Sequence, residues 1–259
     1  MTLPRLLSYD LGPQVVAFTT TRHGGCSTGR HGAFNINAWC GDTPGHVAAN
    51  RNALCRLLGI ADCCLAVPHQ VHSTVVRRID TARDIALPGN LEGVDGLMTD
   101  SPGLCVGVST ADCLPVLLYD EARHAACAVH AGWRGTVGHI ALKAVEAMAR
   151  EYGSRPGQLR ACIGPGISAD CFEVGDEVYA QFEAAGFRME RIARREAKWH
   201  IDLWEANRAD LAQAGVSPSR VHVAGICTYL HAADFFSARR LGTDSGRLFT
   251  GILLKPLAR

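Results

Sequence analysis

Between Gly107 and Gly135 the chain reads GVSTADCLPVLLYDEARHAACAVHAGWRG, two apolar runs separated by the short polar link Asp120–His124. Each run is strand length, and a link this short forces the two to lie side by side and antiparallel. That pairing carries Cys113, at the start of the first run, and His130, at the end of the second, to the same end of a sheet. A thiol and an imidazole held together on rigid elements are a nucleophile and its base, or two ligands of one metal. Both readings describe an enzyme.

The remaining sequence is organised around this segment without repeats, low-complexity tracts or a Pro/Gly linker, so residues 1–259 are expected to form one domain. VVAFTTTR (15–22) alternates as a strand and enters a glycine-rich loop. Helical spacing of apolar residues predicts helices over Pro44–Gly59, with Val47, Leu54, Leu57 and Leu58 as the stripe, and over Gly138–Tyr152, with Gly153 as its stop. Asp202, with Glu205 three residues on, marks the start of a helix running through Ala214. Strands are expected at 104–109, 114–119, 125–129, 159–163 and 221–226. Pro115 suggests a sheet edge or a bulge. Strands flanked by a few helices without regular βαβ alternation indicate an α+β architecture.

Composition narrows the function. A hydrophobic fraction of 47% supports a sizeable core, and a net charge of +1 without a basic block argues against nucleic-acid binding. The cationic stretch Arg188–Lys198 reads as a solvated surface. No run reaches the roughly 18 apolar residues of a membrane span, and the N-terminus lacks the apolar core of a signal peptide. The eleven cysteines are scattered and include no C-x-x-C. They are read as reduced, mostly buried thiols of a cytoplasmic protein.

Further chemistry-bearing residues lie outside the hairpin. His69 and His72 stand three apart before the apolar TVVRRI segment; on a strand they would face opposite sides unless a turn intervenes. The Gly132-Trp133-Arg134-Gly135 turn offers N–H groups and a forked cation suited to an anion. His72, Cys113 and His130 together make an N/S donor set of the kind a catalytic zinc uses, leaving one position open for water. His69 or Cys105 would supply a fourth ligand if the site were structural.

Several long motifs occur in a fixed order: FTTTRHGGCSTG, FNIN…GD…ANR (34–51), HQVHS, VDGLMTD, TADCLPVLLYD, AVHAGWRG, IGPGISADCFEVGDEV and DFFSARR…SGR. Through these the chain resembles, nearly end to end, the YfiH/YlmD family, once labelled multicopper polyphenol oxidoreductases and also known as peptidoglycan editing factors. The resemblance implies a layered α/β/β/α sandwich similar to the catalytic domain of cytotoxic necrotising factor. It implies zinc on His72, Cys113 and His130. It also implies phosphorolysis of adenosine, inosine and methylthioadenosine to base and ribose 1-phosphate, together with adenosine deaminase activity. Ser73 stands where the family usually has Gly.

For these reactions Arg134 and Arg51 are the expected phosphate groups, and Asp112 the expected proton carrier beside Cys113. Zinc would lower the pKa of bound water from 15.7 toward about 7 for deamination. The alternatives are a cysteine hydrolase of peptidoglycan precursors, with Cys113 as nucleophile and His130 as base, and a copper (Cu2+) polyphenol oxidase. The latter is disfavoured because none of the eleven histidines forms a His-x-His pair. The expected partners are a small nucleoside and phosphate, with no nucleic acid and no membrane.

Overall fold

In the computed structural model, which describes residues 2–256, the strands along the chain are Leu6–Tyr9 (β1), Val15–Thr20 (β2), Leu65–Ala66 (β3), Val76–Arg78 (β4), Gly96–Thr99 (β5), Cys105–Thr110 (β6) and Leu114–Asp120 (β7). Then come Ala125–Ala131 (β8), Arg160–Ile163 (β9), Glu173–Val174 (β10), Ala193–Arg195 (β11), Trp199–Ile201 (β12), Val221–Val223 (β13) and Leu248–Leu254 (β14). The helices are Pro44–Leu58 (α1), Ala82–Ala86 (α2), Trp133–Val137 (α3), Ile140–Tyr152 (α4), Asp176–Ala184 (α5), Met189–Ile192 (α6), Leu203–Gln213 (α7) and Ala238–Leu241 (α8).

Two mixed sheets dominate: one of five strands in the order β1-β2-β14-β6-β3, and one of six in the order β13-β9-β7-β8-β5-β4. Strand alternation explains why they stack. Val15, Ala17, Val106, Val108, Ile252 and Leu254 from the first sheet pack with Leu97, Leu117, Tyr119, Ala126, Ala128 and Cys162 from the second. The residues between them point the other way. On the six-stranded sheet Leu114, Val116, Leu118, Cys127 and Val129 meet Ile140, Ala144 and Met148 of α4 and Leu203, Ala206 and Leu211 of α7. On the five-stranded sheet Phe18, Phe249 and Leu253 meet Leu54 and Cys55 of α1. The layers therefore run helix, sheet, sheet, helix, a mixed α/β architecture.

Helix ends follow local chemistry. Gly59 and Gly153 end α1 and α4 in the left-handed conformation, and the Asp202 carboxylate accepts the Glu205 N–H at the start of α7. The helix expected from Gly138 begins instead at Ile140, because His139 adopts φ 57° and separates α4 from the short α3. Pro115 does not mark an edge: β7 lies between β8 and β9, and Pro115 is only its second residue, directly opposite His130. Its carbonyl still accepts the Gly164 N–H, so the missing donor breaks no ladder beyond the strand's beginning. None of the described helices is long and apolar enough to cross a membrane.

Candidate metal centre

The β7–β8 register pairs Leu114 with Ala131 and Pro115 with His130, so Cys113 and His130 meet at one end of the six-stranded sheet. On β8, Cys127 and Val129 face the helices whereas Ala126 and Ala128 face the other sheet. By alternation His130 shares the inter-sheet side. Cys113 lies on the crossing from β6 of one sheet to β7 of the other. That crossing turns at Asp112, whose backbone has φ 81°. The Asp112 carboxylate is fully committed to holding this turn, accepting the Thr228 hydroxyl at 2.7 Å and the Arg239 N–H at 2.7 Å. Asp112 is therefore placed as an anchor of the crossing, not among the residues that line the cavity.

His72 arrives from the loop before β4 with φ 62°, so the strand alternation that would separate it from His69 does not apply, and both line one cavity. The ligand atoms of His72, Cys113 and His130 all lie within 4.8 Å of one another. The Cys113 Sγ is 3.9 Å from His72 Nε2, and the two imidazoles meet edge to face with centroids 4.8 Å apart. Gly132 makes this approach sterically feasible: a Cβ there would lie 2.8 Å from Cys113 Sγ and 3.1 Å from His72 Cδ2.

One buried carboxylate organises the cluster. Asp95, fully buried, shares a 2.8 Å hydrogen bond with Nδ1 of His130 and accepts the N–H groups of Val71 (3.0 Å), His72 (3.0 Å) and Ser73 (2.8 Å). The Ser73 hydroxyl adds a further bond at 2.9 Å. Asp95 thus fixes the loop that carries one histidine and the ring of the other. Burial opposes its ionisation, but the donors of His130, Val71 and Ser73 prevail and hold it down at about 2. The His130 bond leaves Nε2 as the free nitrogen, the arrangement in which a metal-bound imidazole is oriented by a carboxylate behind it.

Around Cys113 burial again opposes charge, but the imidazoles of His130 and His72 outweigh it and pull the thiol down to about 6. His130 is correspondingly raised by Cys113 and Asp95. The other core thiols behave oppositely: burial pushes Cys55 up to about 11 and Cys105 and Cys127 further. Cys105 lies in the core beside α1 and is not a ligand to this cluster. Two imidazole nitrogens, one sulfur that favours its thiolate, and a cavity on the exposed His72 side form a donor set that can hold a metal ion with a position left open.

The cavity above the cluster measures about 370 Å³, the scale of a small-molecule site. Ser109 and Thr110, at the end of β6, line it from the opposing sheet, and each has a buried hydroxyl oxygen without a protein partner. Arg247 lines it too, its guanidinium anchored on the carbonyls of Thr243, Ser245 and Gly246. Neither arginine expected to take phosphate is brought here. Arg51 binds the Asp62 carboxylate at 2.8 Å and the Leu65 carbonyl at 2.7 Å, while Arg134 is exposed with its guanidinium over the Trp133 ring. A depression of about 460 Å³ near Arg160 and His222 lies at the other end of β7, away from the cluster. Asp95 and Arg247 are the residues that sequence reasoning passed over, although VDGLMTD and SGR, which contain them, stand among the ordered motifs.

The family model described as "Multi-copper polyphenol oxidoreductase laccase" matches residues 16–255. A purine nucleoside phosphorylase of Bacteroides thetaiotaomicron is 45% identical over 244 residues, spanning 92% of this chain and 90% of the relative. Adenosine deaminase RL5 from an unknown prokaryotic organism is 43% identical over 248 residues, spanning 93% and 94%. Among solved structures, YfiH of Bacillus licheniformis superposes with a TM-score of 0.92 at 31% identity over 97% of both chains. YlmD of Geobacillus stearothermophilus does so with 0.90 at 29% identity over 99% and 100%. With its fold, its motif order and its matches to relatives coinciding over nearly the whole length, the chain belongs to the YfiH/YlmD family, the multi-copper polyphenol oxidoreductase laccase family of the matching model.

Proposed function

We propose that this chain is a zinc-dependent purine nucleoside phosphorylase. It converts adenosine, inosine and methylthioadenosine with phosphate to the free base and the pentose 1-phosphate, and deaminates adenosine at the same site. One observation carries the reading: the His72–Cys113–His130 cluster opens into a small-molecule cavity. Relatives named for these two activities, 42–45% identical over at least 90% of this chain, support it. Zinc suits two nitrogens and a thiolate with one open position, and when bound it supplies a Lewis acid that makes water acidic near neutral pH.

The chain's own residues prepare that site. Asp95 holds His130 with Nδ1 turned inward and keeps Nε2 available, and it fixes the backbone of His72. Cys113 enters as a thiolate. Arg247 is the cation of the cavity and supplies the positive charge for phosphate, in place of Arg51 and Arg134. Held in this cavity, a phosphate oxygen attacks C1′ as the glycosidic C–N bond breaks, and the base departs with the proton that the phosphate monoanion gives up. The reading places the enzyme in the cytoplasm, in keeping with eleven free thiols.

A cysteine hydrolase would use Cys113, His130 and Asp95 as nucleophile, base and orienting acid, but it leaves no task for His72, whose Nε2 faces the same sulfur. A multicopper oxidase needs several histidine clusters, whereas one three-residue cluster occurs among the described residues. The test is adenosine turnover by metal-quantified protein, with and without phosphate, followed by product chromatography beside Cys113→Ala. Adenine and ribose 1-phosphate formed only with phosphate, and metal lost in the variant, are the expected results. Inosine alone would leave only the deaminase. A metal-free, reactive Cys113 without either product would overturn the reading in favour of the hydrolase.

A further inference from the structure

The cavity has an aromatic wall that the metal cluster does not use. Trp39 is 45% exposed, large for an indole in a folded protein, and lines the cavity. Its ring stacks on His69 at 4.8 Å between centroids with only 10° between planes. The His69 ring and the loop carrying Trp39 are both anchored. His69 is fixed through its backbone, donating to the Leu91 carbonyl and accepting from Gly93, and through a 2.6 Å bond between Nδ1 and the Glu92 carboxylate. The backbone N–H of Trp39 donates to the Asn37 side-chain oxygen at 2.9 Å, which fixes the loop that carries the indole. The Asn37 backbone is in turn tied to fully buried Asn35, which also binds the Asp42 carboxylate and accepts the Arg247 N–H.

A solvent-facing indole with one face backed by a fixed imidazole presents a flat apolar surface at low entropic cost, the form that proteins offer to nucleobases. The cation of the cavity lies elsewhere: Arg247, whose backbone shares the Asn35 anchor with the tryptophan loop. We propose that Trp39, backed by His69, is the platform on which the planar heteroaromatic base of the substrate stacks, with the anion directed to Arg247. The inference rests on the nucleoside reading and deepens it by assigning the base subsite. Stacking is tolerant of ring substituents, so the platform serves adenine and hypoxanthine nucleosides alike.

The test uses the metal-loaded full chain, Trp39→Ala and Trp39→Phe, with two readouts: adenosine kinetics, and tryptophan fluorescence titrated with adenine or with ribose 1-phosphate. The expected result for Trp39→Ala is a KM for adenosine raised about 5- to 100-fold with kcat little changed, largely restored by Phe. Adenine is expected to quench wild-type fluorescence, with the quench lost in both variants and ribose 1-phosphate silent. An unchanged KM in Trp39→Ala with active wild type would overturn the platform and leave the phosphorylase reading standing. Trp39-dependent adenine quenching without turnover would sink the phosphorylase reading and sustain the platform. Absence of both quenching and turnover removes both.

Discussion

Replacing Asp95 by Asn removes the charge that joins His130 to the His72 loop while changing the side chain's size hardly at all. The carboxylate accepts bonds from three backbone N–H groups and the Ser73 hydroxyl and pairs with His130 Nδ1. An amide offers one oxygen, and turns N–H toward donors on its other side. The depression of Asp95 from 3.8 to about 2 corresponds to about 2 kcal/mol of preference for the charged form. One buried donor left unmatched adds about 1–3 kcal/mol. Asp95→Asn is therefore expected to lose about 3–5 kcal/mol of stability and to weaken metal binding by about 10- to 100-fold. Because the folded pKa is lowered, the charge contribution is present above the unfolded value near 4 and is lost as pH falls toward 2. The stability gap between the two proteins should narrow over that acid range. Competition titration with a chromophoric chelator at neutral pH, paired with urea unfolding, measures both effects. A variant that binds zinc within about threefold of wild type would show that Asp95 does not orient the ligands.

Gly132→Ala should fold normally, since φ is −65°, yet its Cβ would displace Cys113 Sγ and His72; metal affinity is expected to fall at least about tenfold with an unchanged far-ultraviolet spectrum. Arg247→Ala is expected to raise the KM for phosphate about tenfold or more, a lost charged hydrogen bond, whereas Arg134→Ala should leave it unchanged; phosphate saturation curves decide, and the reverse pattern would restore the turn as the anion site. Burial raises Asp210 from 3.8 to about 6 despite its 2.8 Å bond to His139, and its Oδ2 has no partner. A raised acid favours its neutral form in the fold, so wild-type stability should decline between about pH 4 and 6 by about 3 kcal/mol and stay lower above. Asp210→Asn should abolish that decline in denaturation measured across the range, and an identical pH profile would refute the assignment.

The hairpin of β7 and β8 was legible because two strand-length apolar runs on a short link permit one pairing, and that pairing alone unites Cys113 with His130. The third member of the cluster became legible through motif order, since the left-handed backbone at His72 has no mark in local sequence. Asp95 was hidden for a related reason. A single Asp before an apolar strand resembles any turn residue until tertiary structure supplies its donors. Arg51 and Arg134 lie away from the cavity because a long side chain's destination depends on whichever carboxylate, carbonyl or ring the fold places within reach. The four layers followed from alternation on strands and spacing on helices, but the left-handed His139 that divides α3 from α4 did not.

The crossing at Ala111–Cys113 has a mechanical consequence. It is where the chain leaves one sheet for the other, and it carries the sulfur of the cluster, while His130 belongs to the second sheet and His72 to a loop beside it. An ion held by all three acts as a clasp on the mouth of the sandwich. At a thousandfold excess over its dissociation constant such a ligand adds about 4 kcal/mol to the folded state. Breathing of the molecule should accordingly be lopsided: chelation would speed amide exchange in 69–74 and 110–114, and leave the opposite end, closed by the 120–125 turn, as slow as before.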